Sequence, residues 1–380
     1  MRRKFLTVII CLVLCACSSS DDTGQNGSST NGKLPDLTII GFEEDLTTRT
    51  IEYLQFDYDS DSRTGSVTNL TEEMGLRDVF KTEVDGKRIT FYNPGRVQRG
   101  LSDRFILWQK NLDDNSISQR EGFFDLNKPE EPISYTTRGE VGLIIWRDTN
   151  PENIDGDGTF NLMLRVLDEV GNTEDFLINR LRFGNLFEPL VIRNFLLIPY
   201  NDLESRIMVV DLDKKEMVDE ISNISGFYMV ENGSGDVLIF GSKEIFTYDL
   251  DTRNISSPNP VNFDYPRPVP LEQDYFSEGK LFLGLEMAQP APFLHLPAVY
   301  CLDTDELRSF SPSNEILAFE GVEFNERPFP RAFVFDTRTN HYLIGVANVP
   351  DLNAIIMLNL DGEIVDAIDI PFTPQIIVPN

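Results

Sequence analysis

The segment Arg206–Asp213, RIMVVDLD, decides the fold: an apolar run of strand length ends in a Leu-Asp pair, where a short polar turn begins. The same ending recurs in RFILWQKNLD to Asp113, FNLMLRVLD to Asp168, EIFTYDLD to Asp251, AVYCLD to Asp303 and AIIMLNLD to Asp361. A further copy with Tyr in place of Leu, IEYLQFDYD, ends at Asp59. Successive Asp residues are 54, 55, 45, 38, 52 and 58 positions apart. A repeat on that scale, with several short strands per unit, is what a β-propeller requires, since its blades of roughly 40–50 residues carry four strands each.

The units read as antiparallel meanders, with strand A innermost and B, C and D following outward. Blade two reads VFKTEV, ITFYN, FILWQKN, ISQREGFF, and blade three ISYTT, GLIIW, FNLMLRV, TEDFLI. Blade four reads PLVI, FLLIPY, RIMVVD, EMVDEI, and blade five FYMVE, VLIFG, EIFTYD, RNISS. Blade six reads DYF, LFLGLE, AVYC, LRSF, and blade seven AFVFD, HYLIGVAN, AIIMLN, EIVDAIDI. Alternating or short apolar runs bounded by Gly, Asn and Asp are the pattern of half-buried antiparallel strands. The Asp residues at the C–D turns, including Asp57, Asp59 and Asp61, read as turn formers rather than ligands.

One blade is split. LTIIGF, IEYLQFDYD and GSVTNL supply strands B, C and D at the start of the domain, and PQIIV (Pro374–Val378) stands alone at the end. Pairing the two would close the ring and remove both open edges. The expected fold is therefore all-β: a seven-bladed propeller of four-stranded antiparallel blades, closed by N- and C-terminal strands. A six-bladed ring with a separate N-terminal sandwich is the rival.

Residues 1–16 read as a secretory signal: Arg2, Arg3 and Lys4 precede an apolar stretch, Phe5–Leu14, too short to span a bilayer. Leu14-Cys15-Ala16-Cys17 resembles the bacterial lipobox, which implies acylation of Cys17 and a lipid anchor. Residues 17–34 are Ser-, Asn-, Gly- and Asp-rich and read as a flexible tether, leaving 35–380 as the propeller. Ser18–Asp22 resembles the Ser/Asp-rich export signal of Bacteroidota lipoproteins, which implies the outer face of the outer membrane; an anchor facing the periplasm is the alternative. With Cys11 and Cys15 removed and Cys17 acylated, Cys301 alone remains, so no intrachain disulfide is expected. The net charge of −29 becomes −32 after cleavage, as 30 Lys plus Arg then face 62 Asp plus Glu. Such a surface repels phosphate backbones and argues against nucleic acid as a partner.

Propeller topology puts the B–C and D–A loops on one face, and the long ones here all fall there: 94–104, 148–159, 257–272, 287–296 and 312–330. Insertions concentrated on one face mark a binding surface. Around it the B strands end in Tyr92, Trp146 with Arg147, and Tyr200, and nearby loops add Arg96, Arg99, Arg104, Tyr265, Arg267 and His295. Aromatics with Arg suit a ring-bearing anion or a sugar acid, whereas packing at blade ends is the plainer reading. With two His in the mature chain, His295 and His341, an imidazole-based triad or multi-His metal cage is disfavoured. Asn153, Asp155 and Asp157, followed by Gly158, match the first half of a calcium loop; Leu164 stands where the bidentate Glu would be, and Asp148 is a substitute. Calcium is the expected ion if one binds; a solvated acidic loop is the alternative.

In architecture the mature chain resembles the lipid-anchored propeller lipoproteins of Bacteroidota, whose repeats are similar to those of quinoprotein-like propellers. That resemblance implies capture of a small ligand or polymer end for a TonB-dependent outer-membrane transporter. The sequence favours binding over catalysis. A propeller enzyme using carboxylates or a metal, and an assembly scaffold facing the periplasm, are the alternatives.

Overall fold

The computed structural model describes residues 32–45, 47, 50–93, 105–124, 128–182, 185–202, 204–224, 228–241, 244–260, 267–269, 275–286, 295–304, 306–310, 329–348 and 352–380. Cys17, the signal and most of the tether lie outside them. The described chain is an all-β, seven-bladed propeller.

The split blade closes as the sequence requires. Strand B, Leu37–Asp45, pairs antiparallel on one side with strand C, Thr50–Asp59, and on the other with the terminal strand, Thr373–Pro379. Leu37 faces Pro379 and Phe42 faces Thr373, with Thr64–Asn69 as the outer strand. The period of two sends alternate side chains of the terminal strand to opposite neighbours: Ile376 and Val378 pack toward blade two, Ile377 toward blade seven. A bulge between Ile40 and Gly41 brings the backbone so close that a Cβ on Gly41 would lie 2.0 Å from the Thr373 carbonyl oxygen.

The other blades follow in order. Blade two is Lys81–Asp85, Arg88–Asn93, Ile106–Asn111 and Ile117–Glu121. Blade three is Glu130–Arg138, Val141–Asp148, Phe160–Leu167 and Thr173–Leu181. In blade four the inner strand is interrupted, as Asn185–Leu186 and Leu190–Ile192, before Phe195–Asn201, Ser205–Asp211 and Glu216–Ser222. The break falls at Phe187-Glu188-Pro189, where Pro189 has no amide to donate to the ladder. Blades five, six and seven complete the ring, their B strands being Val237–Phe240, Lys280–Glu286 and His341–Asn348.

Seven blades in a ring have seven interfaces, and seven separate apolar clusters fill them. Ile40, Phe91 and Trp108 lie between the closing blade and blade two; Leu37, Leu343 and Ile377 between blade seven and the closing blade. Leu107 with Ile144, Leu162 with Leu196, Leu197 with Ile239, Leu238 with Leu283, and Phe282 with Ile344 mark the rest. Cys301 is buried between blades six and seven. Ion pairs tie six of these interfaces among the described residues: Lys110–Glu73, Arg88–Glu140, Lys215–Glu174, Arg193–Asp251, Arg308–Asp361 and Arg63–Asp366.

The repeating Leu-Asp pair has a divided role. Its Leu is an interface plug, as with Leu167 and Leu250, which are fully buried. The amides of Leu112, Leu212 and Leu302 donate to the Lys87, Asn194 and Gly279 carbonyls at 2.8, 2.9 and 2.9 Å, stitching the C–D turn to the A–B turn. The turn former, however, is the Asx residue just before the Leu in four blades. Asn111, Asp211, Asp249 and Asn359 each accept from the amide two residues on, at 3.0, 3.1, 2.9 and 2.9 Å. Asp59 and Asp168 take that role themselves in the closing blade and blade three. Asp213, Asp251 and Asp361 instead reach to Asn194, Arg193 and Arg308.

Replacing Gly41→Val should destabilise the protein by about 1–3 kcal/mol, the cost of forcing extra atoms into a filled contact. Chemical denaturation checks this, and hydrogen exchange locates it: the protection of Ile376–Val378 should fall more in Gly41→Val than in a Gly156→Val control, where a Cβ meets nothing within 4 Å.

Candidate functional site

The aromatic residues at the ends of the B strands face inward. Tyr92, Trp146 and Tyr200 are all buried, inside the interfaces rather than on the long-loop surface. Tyr92 Oη donates to Glu83 at 2.6 Å and Tyr200 Oη to Glu220 at 2.6 Å; burial, with those carboxylates, pushes both phenols above their usual range. The Trp146 ring lies 5.2 Å from the Arg165 guanidinium, itself held by Glu130 and Asp175. These rings therefore shape the walls of the face and do not form a stacking platform on it. Arg96, Arg99, Arg104 and Tyr265 lie outside the described residues. The backbone of Arg267 and His295 is placed: both pair with Glu286, so the three share one rung at the long-loop end of blade six.

The acidic loop of blade three is built from local bonds. Asp148 accepts from the Asn150 amide at 2.9 Å and from Asn153 Nδ2 at 2.6 Å. Asp155 pairs with Arg180 at 2.9 Å, and Asp157 accepts from the Thr159 amide and hydroxyl at 3.1 and 2.8 Å. The Thr159 hydrogen bonds, to side chain first, hold the Asp157 carboxyl below its ordinary range. Each oxygen donor is aimed at its own partner, and no group of three or more His, Cys, Asp or Glu able to hold a metal occurs among the described residues.

Two features emerge only in three dimensions. The first runs along the inner strands. Lys81, Glu83 and Asp85 on the inner strand of blade two face Tyr135 and Thr137 on that of blade three and Gly139 in the turn after it, each pair 54 residues apart. Lys81 Nζ donates to the Tyr135 carbonyl at 2.7 Å, to Glu83 at 2.5 Å and to Glu188. Glu188 belongs to the interruption in blade four, so this last bond reaches past blade three. Glu83 in turn accepts from Tyr92. Burial raises the Glu83 carboxyl, with Lys81 opposing. Burial also pulls the Lys81 ammonium down, but Glu83 and Glu188 together push it above its usual value.

The second is a pocket of roughly 500 Å³ at the end of blade three, lined by Arg147, Thr149, Ile154, Asp157, Phe160 and Arg182. It joins two sequence expectations, Arg147 and the 153–159 loop, to a residue that neither contained. Arg147 pairs with Glu131, its Nε at 2.9 Å, and its guanidinium lies 5.3 Å from the centre of the Phe160 ring. Arg182, past the end of the outer strand, donates to the Asp157 carbonyl at 3.3 Å and forms no ion pair among the described residues. The signal that could have flagged it is Arg180-Leu181-Arg182: with Leu181 buried, the alternation turns both arginines outward.

No family model matches the chain, and no curated protein matches its sequence. Among solved structures, Pyrococcus horikoshii acylaminoacyl peptidase is similar over 89% of this chain at 13% identity and a TM-score of 0.51. This chain covers 51% of that peptidase, so it spans about half the peptidase's length. The β-propeller domain of the trilobed protease from Pyrococcus furiosus aligns over 86% of this chain and 90% of its own, at 12% identity and a TM-score of 0.49. BamB from Moraxella catarrhalis aligns over 90% and 93%, at 10% identity and a TM-score of 0.41. What the peptidase match establishes is the propeller fold.

The inner-strand network yields a prediction. Lys81→Met strands Glu83 and Glu188 without their shared cation and should destabilise the protein by about 3 kcal/mol, the low end for breaking a buried pair, as Lys81 keeps some exposure. Lys81→Met with Glu83→Gln should recover most of that. For Glu83 alone, a folded value above the ordinary 4.5 means that stability is greatest below pH 4.5 and falls as pH rises through the folded value. Denaturant midpoints from pH 4 to pH 8 for the wild type and Glu83→Gln, whose difference should grow with pH, check the sign.

Proposed function

We propose that this chain is a lipid-anchored binding protein of the outer membrane, exposed on the cell surface, whose long-loop face takes a small ligand or polymer end for a TonB-dependent transporter. The observation that carries the binding half is the blade-three pocket: concave, floored by apolar side chains, and edged by cations that the ring does not use for its own closure. Its size is in the range of small-molecule sites. Support for the address comes from Leu14-Cys15-Ala16-Cys17 and the Ser/Asp-rich segment behind it.

Binding is favoured over catalysis because the buried ionisable groups of the inner strands are committed to one another. Lys81 divides its donors among Tyr135, Glu83 and Glu188, and the second oxygen of Glu83 holds Tyr92. A general base or nucleophile needs a free lone pair facing the substrate.

Purification of the anchored protein from gently solubilised outer membranes should recover a stoichiometric outer-membrane transporter. Protease added to intact cells should remove the propeller. Recovery of envelope assembly factors in its place, or protection of the propeller in intact cells, would overturn the transporter and surface assignments respectively.

A further inference from the structure

We propose that the blade-three pocket recognises a monoanionic carboxylate carried on a flat or branched apolar body, with Arg182 as the acid-binding fork. This rests on the reading that the long-loop face binds a small ligand, and it adds the ligand's chemical class.

Each of the six interblade ion pairs gives a Lys or Arg its own carboxylate. Arg182 forms no ion pair among the described residues, although its charge acts on Asp157 in the same lining. Among the described residues Arg182 has one hydrogen bond, from Nε to a backbone carbonyl, which leaves both terminal nitrogens of its guanidinium for a ligand. Two parallel N–H donors match the two oxygens of a carboxylate.

Arg147 stands on the other side of the same pocket. Its partner Glu131 is about half exposed, with a side-chain exposure of 51%. Exposed pairs of this kind contribute little, about 0–1 kcal/mol, so a ligand carboxylate can compete for Arg147. Asp157 is the one carboxylate in the lining, kept ionised by the amide and hydroxyl of Thr159, so two guanidiniums face one negative charge there. Thr149 adds a hydroxyl.

The rest of the lining selects the body of the ligand. Phe160 and Ile154 form an apolar floor, and Ile154 is 37% exposed, which leaves a greasy surface open to a partner. Arg147 already lies against the Phe160 ring, a geometry in which a second flat group can stack. The acidic surroundings bear on the charge state: in the mature chain at −32, a dianionic phosphate is repelled about twice as strongly as a carboxylate, which offsets its stronger attraction to the two guanidiniums.

The test is calorimetric titration of the full lipidated protein in detergent, with protein-free micelles as the blank and hydrocinnamate and its neutral amide, hydrocinnamamide, as probes. The acid should bind at least roughly tenfold more tightly than the amide, the ratio expected of a charge-assisted bidentate contact. Arg182→Gln should remove that preference. Glu131→Gln should tighten the acid by about threefold, by releasing Arg147 from an exposed pair, and leave the amide unchanged. Ile154→Ser should weaken acid and amide alike. All three residues are on the surface, and unchanged melting temperatures show that the variants fold.

Equal affinity for acid and amide, or an acid preference that survives Arg182→Gln, would overturn the assignment of ligand class. Tighter binding of phenyl phosphate than of hydrocinnamate would overturn the charge-state argument, and with it the carboxylate. Absence of binding by any of the probes would also overturn it. None of these results bears on transporter co-purification, so failure of the ligand class and failure of the transport reading are distinguishable.

Discussion

A single antiparallel ladder between Leu37–Phe42 and Thr373–Pro379 joins the two ends of the described chain, and the ring exists because that ladder forms. Every blade of a propeller buries both faces against neighbours, so an open ring would leave two faces wet and two strand edges unpaired. The terminal strand prevents both at once. Ile377 enters the interface with blade seven, while Ile376 and Val378 enter the interface with blade two. The constraint is also a kinetic one: the two partners lie more than 330 residues apart, and a contact of that separation forms only after the entropy of closing a very long loop has been lost. The six other blades are local meanders and need no such step.

That division explains what could be read from the sequence. Blades two to seven were legible because each is a run of neighbouring strands with period-two burial and a turn marked by Asx. The closing blade was legible by elimination: three strands at the start lacked an inner partner, and one strand at the end lacked successors. Legibility falls where local chemistry disturbs the ladder. The inner strand of blade four, read as PLVI alone, has a further piece, Asn185–Leu186, ahead of the break at Glu188 and Pro189. The Leu-Asp pair was recognised for its recurrence but not for its mechanics, since the hydrogen-bond acceptor in four of the turns is the Asx one residue earlier, as in Asp211 and Asn359.

The site was less legible than the fold, for two separate reasons. Tyr92, Trp146 and Tyr200 were placed correctly at the ends of their strands, but their direction depends on the neighbouring blade, which no local pattern contains. In each case the ring fills an interface and, for the tyrosines, the hydroxyl finds a carboxylate. The contacts that were missed are nonlocal: Lys81 meets Tyr135 after 54 residues and Glu188 after 107. Arg182 was missed because the alternation Arg180-Leu181-Arg182 shows only that it faces outward, while its place beside Arg147 and Phe160 emerges from the strand pairing.

The distribution of those partners separates stability from recognition. Six interblade pairs bind cations to carboxylates of adjacent blades, and five of them involve the short-turn residues Arg63, Glu140, Lys215, Arg193 with Asp251, and Asp361. Beside the blade-three pocket the cations are held differently: Arg147 by an exposed glutamate, Arg182 by a carbonyl. Changing a short-turn charge therefore alters how two blades meet, whereas changing one of these arginines alters the local field over the pocket and leaves every interface intact. Against a background of −29, the field of these arginines is local, its reach limited by screening to about 8 Å in physiological salt. A ligand of the proposed class, repelled at long range and attracted at contact, would associate slowly and gain its selectivity from the final fit, so the geometry of Arg147, Phe160 and Arg182 would matter more than the charge of the whole.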